Sequence, residues 1–92
     1  MGRMLFNLGL VVATPGALQA LEESEQAAIE FLNRHVSGDW GELDEEDRKE
    51  NELSLKEGFR ILSAYHLRNG KKIWIITEAD RSVTTLLLPE EY

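Results

Sequence analysis

An α+β fold is predicted for this chain of 92 residues, with residues 1–92 forming a single domain. Three observations predict it: an alternating apolar stretch near the start, capped helix-type patterning in the middle, and two apolar runs flanking an Asn-Gly pair near the end. The expected order is an N-terminal strand, two or three helices, then a three-stranded antiparallel meander with an Asn-Gly hairpin. Helices laid over one face of a largely antiparallel sheet give such a domain its core. A chain of this length buries roughly 60–65% of its unfolded surface, enough for one core without covalent staples.

The first strand is read over Phe6 to Ala13, where Phe6, Leu8, Leu10 and Val12 alternate with Asn7, Gly9, Val11 and Ala13. The same stretch does not read as a secretory signal. Asn7 and Gly9 interrupt it, and Thr14-Pro15-Gly16 stands where a small-residue cleavage site belongs. It is also shorter than the roughly 20 residues that span a bilayer. Met1-Gly2 is not read as a myristoylation signal, because position 6 is Phe6 rather than Ser or Thr.

Thr14 as N-cap and Pro15 at the first helical position open a helix that buries Ala17, Leu18 and Leu21. Ser24 is expected to cap a second helix running through His35, with Ala28, Ile29, Leu32 and Val36 near one face and Ser37-Gly38 ending it. Asp39-Trp40-Gly41 reads as a turn carrying an aromatic. Leu43 and Asp44 open a third helical segment whose early acids, Glu45, Glu46 and Asp47, suit the positive end of the helix dipole. Asp47 to Glu52 is polar all round and therefore solvated. Leu53 and Leu55 carry strand spacing, and Gly58 marks the stop.

The hairpin joins Phe59–Leu67 to Lys72–Glu78 through Arg68-Asn69-Gly70-Lys71. A type I′ turn at Asn-Gly pairs Leu67 with Lys72, His66 with Ile73, Tyr65 with Trp74, Ala64 with Ile75 and Ser63 with Ile76. That register puts Leu62, Ala64, His66, Ile73 and Ile75 on one face, and Ile61, Tyr65, Leu67, Trp74 and Ile76 on the other. Asp80-Arg81-Ser82 makes a second turn before a strand from Val83 to Leu88, ended by Pro89. Two apolar faces are more than the helices of a small domain cover, which points to a second subunit or a partner on one of them.

Charge bounds the function. The chain has a formal net charge of −7 and no cysteine, which excludes a disulfide framework and a thiolate zinc site and fits a cytoplasmic setting. Residues 22–57 hold thirteen acids against four bases, whereas residues 58–92 hold five bases and four acids. The acidic middle repels nucleic acid, so non-specific DNA binding is not expected. The acids between Glu42 and Glu57 lack the alternating ligands, central Gly and terminal Glu of a calcium loop. Thr14-Pro15-Gly16 lacks the Lys and glycines of nucleotide-binding loops, and no Ser-His-Asp pattern is present. No cofactor or metal is expected, and no membrane association.

His35 and His66 are the two histidines, and either side chain titrates near neutrality when unperturbed. His35 near a helix C-terminus has a purely structural explanation. On the meander, His66 with Arg60 and Arg81, beside Tyr65, Thr84 and Thr85, forms the one catalytic set worth weighing. Histidine would move protons and arginine would stabilise phosphorane charge, as in a ribonuclease or toxin-like nuclease. The acidic balance argues against that alternative. Trp40, Tyr65 and Trp74 are the candidate interaction anchors, with core packing as the plain explanation for such aromatics.

Four stretches, taken together, carry a resemblance. They are Val11-Val12-Ala13-Thr14-Pro15-Gly16-Ala17-Leu18, Ser37-Gly38-Asp39-Trp40-Gly41, Leu43-Asp44-Glu45-Glu46-Asp47, and Ile76-Thr77-Glu78-Ala79-Asp80-Arg81-Ser82 with Leu88-Pro89-Glu90-Glu91-Tyr92. The chain resembles a family of small uncharacterised bacterial proteins sometimes labelled plasmid-related. The resemblance implies a bacterial, cytoplasmic setting and an accessory role on mobile DNA, and it brings no activity or catalytic residue. The resulting expectation is a non-enzymatic interaction or regulatory protein that binds another protein or itself through an aromatic sheet face or its acidic helical segment.

Overall fold

A computed structural model describes residues 3–92; Met1 and Gly2, weighed above for acylation, lie outside the described residues. The elements are β1 (Leu10–Ala13), α1 (Pro15–Glu23), α2 (Ala28–Val36), α3 (Glu45–Glu57), β2 (Ile61–His66), β3 (Lys72–Thr77), β4 (Val83–Leu87) and a closing 3-10 turn, Pro89–Glu91. The class is the expected α+β. The meander is antiparallel, and β1 inserts parallel to β4, so the sheet is mixed with strand order β1-β4-β3-β2.

The first strand is half as long as its alternation suggests. Gly9 takes φ +67°, and a Cβ there would lie 2.3 Å from the Ser82 carbonyl oxygen, so the chain kinks before pairing can begin. Phe6 and Leu8 still turn inward, Phe6 against the rings of His35 and Trp40 and Leu8 against the core.

Thr14 caps α1 as expected, its hydroxyl accepting from the Ala17 N–H at 3.1 Å, with Pro15 in the first turn. Glu91, from the far end of the chain, completes that cap. Its carboxylate accepts from the Thr14 hydroxyl, the Gly16 N–H and the Leu88 N–H. The buried face is Ala17, Ala20 and Leu21, while Leu18 points to solvent. Ser24 ends α1 instead of starting α2, because its hydroxyl bonds back to the Ala20 carbonyl and Glu25 turns left-handed at φ 54°. The second helix therefore starts at Ala28 and buries Phe31, Leu32, His35 and Val36, leaving Ile29 exposed.

The third helix continues through Leu53 and Leu55 to Glu57, so their strand-like spacing has no structural counterpart. Asp44 caps its start through the Asp47 N–H, and Gly58 ends it at φ 78°. Most of its surface is solvated as expected. Its buried residues are Asn51 and Ser54; Asn51 bonds to Leu62 of β2, and the Ser54 hydroxyl bonds back to the Glu50 carbonyl.

The hairpin is in place but its register differs by one residue. His66 pairs with Lys72, Tyr65 with Ile73, Ala64 with Trp74 and Ser63 with Ile75. The turn explains the slip. The Gly70 N–H bonds to the Leu67 carbonyl and the Leu67 N–H to the Lys71 carbonyl, and positive φ is confined to Gly70. This is a tight turn followed by a left-handed bulge residue, which lengthens the loop by one position relative to type I′. A one-residue slip turns every β3 side chain to the other face. The helix-covered face thus carries Tyr65, Leu67, Ile73, Ile75 and Leu86, packed under Ala17, Ala20, Leu21, Phe31 and Leu32. On the opposite face Trp74 meets Tyr92 edge-on at 5.8 Å, so a residue of this same chain lies against it.

Candidate functional site

His35 is a buried hinge pin of a hydroxyl chain. Its Nδ1 meets the Ser63 Oγ at 2.5 Å and its Nε2 the Thr77 Oγ1 at 2.9 Å; Thr77 meets Thr84 at 2.7 Å, and Thr84 donates to the Leu8 carbonyl at 2.7 Å. A hydroxyl has one proton to donate. Thr84 gives its proton to Leu8, so Thr77 must donate to Thr84, and the His35 Nε2–H must donate to Thr77. Nδ1 is then the acceptor for Ser63, which fixes the neutral Nε2–H tautomer. Burial pushes the imidazole down to about 3, in keeping with that neutral form. No part of His35, Ser63, Thr77 or Thr84 is open to solvent, so this cluster links α2 to β2, β3 and β4 and presents nothing to a substrate.

The residues of the nuclease alternative do not converge. His66 ends β2 beside Lys72, where its Nδ1 meets the Glu42 carboxylate at 2.5 Å, and this contact holds the Glu42 carboxyl below its usual range. Arg60 precedes the opposite end of β2, donating to the Tyr92 hydroxyl at 2.7 Å and pairing with Glu78 at 3.7 Å. The Tyr92 hydroxyl bond, with Glu78 adding to it, raises the guanidinium further above its ordinary value. Arg81 is spread over backbone carbonyls: Phe59 at 2.7 Å, Ser54 at 2.9 Å, Ala79 at 3.1 Å and Glu78 at 3.2 Å. It ties the last turn of α3 to the β3–β4 connection, a clasp and not an open anion seat.

Of the three aromatic anchors, two are interior. Trp40 is 5% exposed, stacks on Phe6 and donates its indole N–H to Glu52 at 3.1 Å. Tyr65 is 1% exposed and donates to the Asp39 carbonyl at 2.6 Å, and burial pushes its phenol up to about 12. Arg34, ion-paired with Asp39 at 2.7 Å, lies over the Tyr65 ring. Trp74 is the half-buried one, shielded by Tyr92.

A groove of about 290 Å³ runs between α3 and the approach to β2, lined by Leu43, Asp47, Glu50, Asn51, Phe59 and Arg60 among others. Among the described residues no group of three or more His, Asp or Glu side chains is placed to hold a metal ion. No helix among them is long and apolar enough to cross a membrane.

The two edges of the sheet are treated differently. At the β2 edge, Asn51 donates to the Leu62 carbonyl at 2.6 Å and accepts its N–H at 3.1 Å. The Ala64 N–H bonds to the Trp40 carbonyl at 3.1 Å, its carbonyl accepts the Glu42 N–H at 2.7 Å, and the His66 N–H bonds to the Glu42 carboxylate. Gly41 allows this strap to lie flat on β2, at φ +77° with a would-be Cβ 2.0 Å from the Ala64 carbonyl oxygen. The β2 edge is thereby sealed. At the β1 edge, Leu10 and Thr14 turn their N–H groups to β4, bonding to Ser82 at 2.9 Å and Leu86 at 3.0 Å. Alternation along the strand turns the backbone groups of Val11 and Ala13 the other way, where no further strand lies among the described residues. Leu10, Val11 and Val12 are exposed along it.

Sequence reasoning placed β1 but did not single out its edge. The available signal was the absence of charge and of proline within Leu10–Ala13, since edges are usually guarded by one or the other. Comparisons with protein-family models, with curated proteins and with solved structures found no match.

Proposed function

We propose that this chain is a non-enzymatic protein-interaction module, a regulatory accessory of bacterial mobile elements acting in the cytoplasm. It works by lending the free edge of β1 to an extended segment of a protein partner. The observation that carries this reading is the contrast between a β2 edge closed at Leu62, Ala64 and His66 and a β1 edge left open and apolar. Strand addition draws its affinity from main-chain hydrogen bonds and its selectivity from alternate side chains. The setting comes from the resemblance of the four quoted stretches, and the acidic balance fits a protein partner better than a nucleic acid.

In-cell photo-crosslinking tests it. A photoreactive side chain is placed at Val12 on the edge and, as comparator, at Glu46 on α3. Protein adducts formed from position 12 and not from position 46 are the expected result. RNA adducts, or no protein adduct from position 12, would overturn it.

A further inference from the structure

We infer that the occupant of the β1 edge is a second copy of this chain, paired antiparallel to form one continuous eight-stranded sheet. This rests on the strand-addition reading above and goes further by naming the partner.

The geometry of the edge favours this pairing first. With a two-fold axis at Val12, Val11 of one copy faces Ala13 of the other. In an antiparallel pair, facing residues of the hydrogen-bonded kind exchange both N–H···O bonds. The two outward donors and two outward acceptors on each chain then satisfy one another, which is the self-complementarity that an isologous contact requires.

Charge supplies the second argument. From Met4 to Leu21 the chain has no Asp, Glu, Lys or Arg, although its net charge is −7. Two copies repel through most of their surface, and like charges facing one another across strands are destabilising. The β1 edge is the place where the copies meet without that penalty, and Leu10 and Val12 contribute apolar side chains on one face of the joint.

Closure is the third. A sheet with two open edges would add copies without limit. Here the β2 edge is sealed by Asn51, the Trp40–Glu42 strap and Glu42. One open edge per copy stops assembly at two.

Size-exclusion chromatography with light scattering, run as a dilution series, tests this on the full chain. Wild type is expected at twice the 10.5 kDa chain mass in the micromolar range. The Val11 and Ala13 amides should exchange slowly at high concentration and quickly on dilution. Val11→Lys places a charge on the edge, and Val11→Pro removes an N–H that turns away from β4 and has no strand to meet among the described residues. Both are expected at the single-chain mass, with far-UV circular dichroism unchanged. If one variant fails to fold, the other still decides. A wild type that stays at the single-chain mass into the high-micromolar range would overturn the second copy; protein adducts of other mass from position 12 would then leave the interaction reading standing. A dimer that neither folded variant dissociates would overturn the β1 edge itself.

Discussion

Lowering the pH from 7 to 5 is expected to cost the fold about 2 kcal/mol through His35 alone. In the unfolded chain the imidazole takes a proton near its ordinary value of about 6.5. In the folded chain burial holds it neutral down to about 3. Between those values the unfolded state binds one proton more, so stability rises with pH across the window. The contribution is therefore fully present above about 6.5 and is lost progressively as pH falls towards 3. Each unit of the window is worth about 1.4 kcal/mol, which gives about 2 kcal/mol from pH 7 to pH 5. The hydroxyl chain supplies the structural reason. Protonating Nδ1 would set its N–H against the Ser63 hydroxyl that now donates to it, while Thr77 and Thr84 are already committed towards Leu8. Urea unfolding at pH 7 and pH 5 would be compared for wild type and His35→Gln. Glutamine does not titrate and retains an amide donor for Thr77. Every other titrating group is common to both proteins and cancels in the difference. Wild type should lose about 2 kcal/mol more than the variant on acidification. Equal losses would refute the buried neutral histidine and the proton order derived from it.

Other substitutions test the clasps. Gly41→Ala should lower stability by about 2 kcal/mol or more in urea unfolding, because a Cβ at positive φ also meets the Ala64 carbonyl. Asn51→Ala should cost about 2–3 kcal/mol by leaving both backbone groups of Leu62 unpaired; by unsealing the β2 edge it should also give scattering masses above that of wild type. Arg81→Ala removes charge-assisted bonds to four carbonyls and should cost about 2 kcal/mol, with faster amide exchange at the C-terminal turn of α3. Glu91→Gln should lower the thermal midpoint, since Thr14 and Gly16 would lose the carboxylate that completes the α1 cap.

The elements that were legible in the sequence are those set by local chemistry. Thr14-Pro15, Asp44 and Gly58 mark helix ends by their own side chains or backbone freedom, and each stands where expected. The hairpin was legible as a turn but not as a register, because Asn69-Gly70 serves a type I′ turn and a bulged turn equally well. The difference lies in the φ of Asn69, which no residue name fixes. Ser24 misled because a serine hydroxyl can bond forward as an N-cap or back to the carbonyl four residues earlier. Structural roles for His35, Trp40 and Tyr65 were legible as the plain explanation, but the partners of His35 were not. Ser63, Thr77 and Thr84 come together only after three strands have paired, so the histidine's partners have no sequence spacing to recognise.

The parallel contact between β1 and β4 also governs the order of folding. Leu10 meets Val83, and the α1 cap waits for Glu91, so both need more than seventy further residues to have been made. Contacts this distant in sequence close late and slowly. During synthesis an uncharged apolar strand thus emerges before β4 and remains without that neighbour while α1, α2, α3 and the β2–β3 hairpin are made. On the pairing inferred above, its first encounter with a strand is a competition between its own β4 and another nascent chain. The crowding of ribosomes on one message therefore bears on whether copies meet through β1 before or after each has closed its own sheet.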